Sequence, residues 1–202
     1  MPLTEIDANT ALVVVDLQDA VVALPTVHSA KSIVEQSIRL ADAFRKRNLP
    51  VVIVTAAGVA PGRTEASRGG GAGRQSDSSA ASSAAEAVAL LSELGPRPGD
   101  HTVIKRVWGA FHDPALAAWL REHDVTQVVV TGIATSMGVE STARGAHEYG
   151  FNVTIATDAV TDLDQEDHDY VLRKVFPKIA ETGTTDEILA LLDRSTLTSS
   201  HS

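Results

Sequence analysis

A chain of 202 residues and 21.2 kDa has the size of one compact domain that buries most of its apolar surface on folding. It contains no cysteine, which excludes disulfides, thiolate metal sites and a cysteine nucleophile. A net charge of -9 argues against nucleic acid as a partner, and no apolar run approaches the ~20 residues of a membrane span.

The amino end, MPLTEIDANT, carries acid and lacks the apolar core of a signal peptide, so the chain reads as soluble and cytoplasmic. The first strand is expected at Ala11–Val15 (ALVVV). A helical stripe follows over Ser32 to Arg47, with Ile33, Ser37, Leu40, Ala41 and Phe44 on one face. Val51–Val54 (VVIV) is the second strand. Residues 66–85, ASRGGGAGRQSDSSAASSAA, hold no large apolar side chain and read as a flexible surface insertion, either an active-site lid or an idle loop. Thr102–Ile104 is a weak third strand. Asp113 and Pro114 then open a helix to Glu122 as cap and first helical residue. Val128–Ile133 (VVVTGI) and Val153–Ala156 (VTIA) are further strands, with helical patterns over 138–149, 165–176 and 185–192. The last opens with Thr184-Thr185-Asp186-Glu187, a capping box in form. Residues 196–202 read as a frayed tail.

Continuous apolar strands separated by helices predict strands buried on both faces. The expected architecture is a three-layer α/β/α sandwich with a mostly parallel central sheet, one domain over residues 1–195.

Ligands of open α/β sheets bind beyond the carboxyl ends of the strands. There the first strand delivers Asp16 in DLQD, the weak third delivers Lys105 in VIKRVWGAF, and the fourth runs into TGIATSMGVESTAR, Thr131 to Arg144. The bland readings are that Asp16 caps a turn, that Lys105 is a solvated edge residue, and that Thr135 and Ser136 cap the following helix. His112, His123, His147 and His168 share no ligand spacing and read as surface or cap residues, so neither a metal nor a cofactor is expected.

At Asp16, Lys105 and the TGIATSMGVESTAR turn, and from about Thr10 to Leu192, the chain resembles the isochorismatase-like hydrolase superfamily, the cysteine hydrolases. The resemblance implies a catalytic aspartate at Asp16 and a lysine at Lys105 before the aromatic segment Trp108 to Phe111. It places Gly138 where the family's nucleophilic cysteine stands, and the run VESTARGAHEYGFNVTIATDA is similar to the segment after that cysteine. The thiolate chemistry of the amidases and nicotinamidases is therefore not available. The branch that splits isochorismate has the same glycine. The resemblance further implies a cis peptide at Ile133-Ala134 and a homo-oligomer, dimer or tetramer.

These residues suggest hydrolysis of a small vinyl ether such as isochorismate. Asp16 would be the general acid, Lys105 would orient the substrate, and the backbone N–H of Gly138 would face developing negative charge. Gln18, Trp108, Phe111, Ile133, Ala134, Thr135 and Met137 complete the expected binding set, with Arg63, Arg68 and Arg106 as candidates for a dianionic substrate. An ammonium beside Asp16 would lower its pKa, against the needs of an acid at neutral pH, whereas desolvation and an anionic substrate would restore the proton. Two alternatives stay open: an amide or ester hydrolase using water activated by Asp16, and a binding module without turnover.

Overall fold

The computed structural model describes residues 1–58 and 94–199. The apolar runs form a six-stranded sheet in the order β3-β2-β1-β4-β5-β6, and every pairing is parallel. The strands are β1 (Thr10–Val15), β2 (Val51–Ala56), β3 (His101–Lys105), β4 (Gln127–Ile133), β5 (Asn152–Thr161) and β6 (Glu181–Gly183). Every residue of the central strands β1 and β4 is buried, as continuous Val-rich runs require when both faces are covered.

The pleat sends alternate side chains into two cores. Ala11, Val13 and Val15 face Leu116 and Leu120 of α3 (Pro114–Glu122) and Ala143 and Ala146 of α4 (Glu140–Glu148). Leu12 and Val14 face Ile33, Leu40 and Phe44 of α2 (Ala30–Lys46) and Ile188 and Leu192 of α6 (Thr185–Ser199). Two cores on opposite faces of one sheet make the three-layer α/β/α sandwich expected from the strand–helix alternation.

Local chemistry sets the helix ends. Asp113 accepts the Ala115 N–H at 2.9 Å, with Pro114 in the first turn of α3. At α6 the capping box is complete: Glu187 Oε2 accepts the Thr184 N–H at 2.7 Å, and Thr184 Oγ1 accepts the Glu187 N–H at 3.3 Å.

Several elements differ from the sequence expectation. A short helix, α1 (Asp19–Val22), follows β1, and β6 adds a three-residue strand that has no apolar run to announce it. The helix expected from Gly138 is preceded by a π-helical turn, Thr135–Val139. The helix expected over 165–176 is divided into α5 (Gln165–Tyr170) and a second π-helical turn, Val171–Val175. The last helix extends to Ser199, into the stretch expected to fray. The expected insertion at 66–85 lies outside the described residues. The amino end docks on β6: Leu3 N–H donates to Thr182 O at 2.9 Å, and Thr182 N–H donates to Met1 O at 2.7 Å. No helix among the described residues is long and apolar enough to cross a membrane.

Candidate active site at the carboxyl ends of β1, β3 and β4

Asp16 follows the last residue of β1 and adopts a left-handed φ of +55°, a region in which aspartate is one of the few tolerated side-chain-bearing residues. Its backbone is fixed by an N–H bond to Val54 O at 3.0 Å and by the Gln18 N–H that reaches its carbonyl at 2.9 Å. Lys105 ends β3, two strands away. Its side chain crosses the end of β2, and Nζ meets Asp16 Oδ2 at 2.6 Å. Both residues are buried, 7% and 6% exposed, so the pair is shielded from the solvent screening that makes surface ion pairs weak.

Burial pushes the Asp16 carboxyl above the ordinary aspartate range. The charge of Lys105 and its hydrogen bond pull the other way and do not prevail. Burial, not the ammonium, thus decides a direction that the sequence left open. The second oxygen, Oδ1, is buried without a hydrogen-bond partner among the described residues. Buried polar atoms are rarely left unpaired in folded proteins, and such an orphan beside a cavity marks a place for a proton or a ligand.

The third component comes from the end of β4. Gly132 has φ +129°, and a Cβ there would lie 1.9 Å from Val15 O, so only glycine lets β4 come this close to the end of β1. The Ile133-Ala134 peptide is cis, in agreement with the family resemblance. The π-helical turn then brings Gly138 against the ion pair. A Cβ at Gly138 would sit 2.9 Å from Asp16 Oδ2 and 3.4 Å from Lys105 Nζ. A side chain at position 138 would oblige the carboxylate oxygen to shift, whereas the ammonium lies at ordinary contact distance.

Two buried groups brace this turn, and neither was expected there from the sequence. Asp162 Oδ2 accepts the Ser136 N–H at 2.6 Å, and its Oδ1 accepts the Leu163 N–H at 2.7 Å. Asp162 follows β5 just as Asp16 follows β1. The strand-end rule would have found it had β5 been expected to continue past Ala156. His168, read as a surface or cap residue, is instead 3% exposed and shares a 2.9 Å hydrogen bond between Nδ1 and Thr135 Oγ1. Burial and the neighbouring His28 push its pKa down, and Asp162 and Asp169 oppose this. The neutral imidazole is therefore the form that braces the turn.

A cavity of about 230 Å³ opens over the pair, small beside the roughly 300–1,000 Å³ of common ligand pockets. Asp16, Lys105 and Gly138 form its base, Ile133, Ala134 and Met137 one wall, and Trp108 part of its mouth. Three expected binding residues lie elsewhere. Phe111 is 3% exposed in the core, tilted against Phe151 with ring centroids 5.9 Å apart, because the 3-10 turn Ala110–His112 points it inward. Thr135 is buried against His168. Gln18 spends its amide on the end of β2, accepting the Ala56 N–H at 2.7 Å and donating to Ala56 O at 3.2 Å. Of the expected arginines, Arg106 is exposed and does not line the cavity, and Arg63 and Arg68 lie outside the described residues. Among the described residues no group of three His, Cys, Asp or Glu side chains is placed to hold a metal ion.

A sequence profile described as "Isochorismatase domain" matches residues 10–187. The chain belongs to the isochorismatase family. Among its relatives is the isochorismatase family protein YwoC of Bacillus subtilis, 35% identical over 186 residues that cover 90% of this chain and 93% of that one. The structure of an isochorismatase family protein from Burkholderia thailandensis matches with a TM-score of 0.81 and 35% identity, over 94% of this chain and 98% of that one. N-carbamoylsarcosine amidase from Thermoplasma acidophilum matches with a TM-score of 0.67 and 25% identity, over 88% and 97% of the two chains. This isochorismatase-family hydrolase therefore carries its candidate site at the carboxyl ends of the strands, in a family that includes amidohydrolases.

Proposed function

We propose that this hydrolase cleaves a small enol ether by acid–base chemistry at Asp16, with isochorismate as the first compound to test. The observation that carries the reading is the buried carboxyl of Asp16, its pKa raised, lying against a glycine where the chain has no nucleophile to offer.

Protonated Asp16 delivers its proton to the terminal carbon of the C=C–O group, and the electron pair of the double bond forms the new C–H bond. The oxocarbenium so formed is attacked by water. The Asp16 carboxylate takes a proton from that water and recovers its acid form. The hemiketal then collapses to a ketone and an alcohol; from an enolpyruvyl ether the ketone is pyruvate. The burial that raises the Asp16 pKa is what keeps an acid protonated towards neutral pH. Lys105 holds the anionic end of the substrate. Gly138 leaves the space beside the carboxylate clear.

A second reading is favoured by the likeness to N-carbamoylsarcosine amidase: hydrolysis of a small amide, with ionised Asp16 activating a water. With no cysteine in the chain, that route has no acyl-thioester. A panel of isochorismate, simpler enol ethers and small amides separates the two. The first reading expects pyruvate from the enolpyruvyl ethers, reduced at least about 100-fold in Asp16→Asn. Ammonia from amides without pyruvate from any ether would overturn it. Asparagine also tolerates the left-handed backbone, so this variant removes the acid without disturbing the turn.

A further inference from the structure

We infer that His168 is a positioning residue for Asp16: through Thr135 it fixes the turn that covers the buried carboxyl, and so governs how much water reaches it. This deepens the reading of Asp16 as the working group of the site. It rests on that reading for the effect on turnover, though not for the effect on the carboxyl itself.

The turn Thr135–Val139 and the cis peptide before it supply Ala134, Met137 and Gly138 to the cavity over Asp16. Gly138 stands against the carboxylate, so a small displacement of the turn opens or closes the space beside Oδ2. Within the turn, the Ala134 carbonyl accepts the Met137 and Val139 N–H groups at 3.1 Å each. These bonds shape the turn, and anchors outside it fix its place. Two buried side chains provide them: Asp162 accepts the Ser136 N–H, and His168 of α5 shares a hydrogen bond with the Thr135 hydroxyl.

His168 is itself held. Its ring is tilted against that of His28, with centroids 4.8 Å apart. The His28 N–H donates to Thr161 Oγ1 at 3.0 Å, and the Val27 N–H to Asp162 O at 2.8 Å. The stretch before α2, the end of β5, α5 and the turn are thereby tied together. A buried polar pair such as Thr135 and His168 adds little net stability over an apolar pair of the same shape. What it adds is direction: one orientation of the turn satisfies both groups, and others leave a buried polar atom unpaired. Burial and His28 favour the neutral ring against Asp162 and Asp169, so the anchor is a hydrogen bond and not a charge.

The test follows the Asp16 carboxyl directly, by carbon-13 NMR of the full chain labelled at the aspartate Cγ, with Asp16→Asn to assign its resonance. Burial raises the Asp16 pKa against the pull of Lys105, the charged group beside it, and none of the variants touches Lys105. His168→Leu is expected to let water in and to shift the Asp16 midpoint down, towards the ordinary aspartate range. His168→Asn is expected to keep the midpoint near wild type, because its amide stands as many bonds from the backbone as Nδ1 and can donate or accept. Thr135→Val removes the same bond from the other end with little change of shape, and should shift the midpoint equally. Combined with His168→Leu it should add nothing further. Deleting residues 1–3, which weakens the fold at the β6 edge of the sheet, should leave the midpoint in place. A midpoint unmoved in both His168→Leu and Thr135→Val overturns the inference. So does one that moves as far in His168→Asn or in the deletion, and so do additive shifts in the double variant. On any compound that is turned over, His168→Leu should lower kcat about tenfold with KM within about twofold, and His168→Asn should restore it. If the midpoint moves as expected and no ether in the panel yields pyruvate, the enol-ether reading falls and the positioning role stands.

Discussion

At the scale of single residues, the proposed chemistry and its pH dependence both rest on Asp16. Its pKa is raised by burial, so the protonated form persists to higher pH than for an exposed aspartate. If that form is the general acid, kcat/KM is level at low pH and falls as pH rises through the Asp16 pKa. If ionised Asp16 is the base of an amidase, the same limb has the opposite slope. A pH–rate profile on the active substrate reads the sign directly. Lys105→Met removes both influences that hold the Asp16 pKa down, so the limb should move to higher pH while the rate itself falls. A limb that stays in place would mean that the titrating group is not Asp16.

At the scale of elements, the site depends on strand ends being tied together. Gln18 joins the end of β1 to the end of β2 through both polar atoms of its amide. Gln18→Leu leaves the Ala56 N–H and carbonyl without this partner and should cost about 1–3 kcal/mol, read as a lower denaturation midpoint with an unchanged m-value. An unchanged midpoint would show that the clamp contributes nothing. The sheet, the two large amphipathic helices and the buried Asp16–Lys105 pair were legible in the sequence because each carries a local signal: a Val run, a helical stripe, a charge just after a strand. What was not legible depended on neighbours. Nothing in Glu181–Gly183 marks β6, which exists because β5 and the amino end offer it partners. Phe111 and Trp108 look alike in the sequence as candidate walls, yet a single 3-10 turn buries one and leaves the other at the cavity mouth. His168 belongs to no motif, and only the packing of α5 against the π-helical turn gives it Thr135 to hold.

At the scale of the whole molecule, the sheet separates two cores and has two edges. β3 forms one edge. At the other, the first residues cover β6 through the backbone bonds of Met1 and Leu3 to Thr182, and the Leu3 side chain packs at the rim of the second core. Deleting residues 1–3 opens that edge, removes both bonds and exposes Leu3's apolar contacts. The expected loss is about 2 kcal/mol, or roughly 4–8 °C in Tm by calorimetry, with a greater tendency to self-associate through the bared strand. An unaltered Tm would assign the amino end no share in stability.

The contact between Gly138 and Asp16 also constrains how this molecule can change. A replacement of the glycine by a cysteine would place its Cβ 2.9 Å from a carboxylate that Lys105 holds in place. A side chain at 138 therefore obliges the far end of the Asp16 side chain to shift, and with it the hydrogen bond to Lys105. The two positions are coupled, so changes at 16 and 138 should be strongly non-additive. Whatever stands at position 138 on this scaffold is thus felt at once by the aspartate, through where its carboxylate can lie.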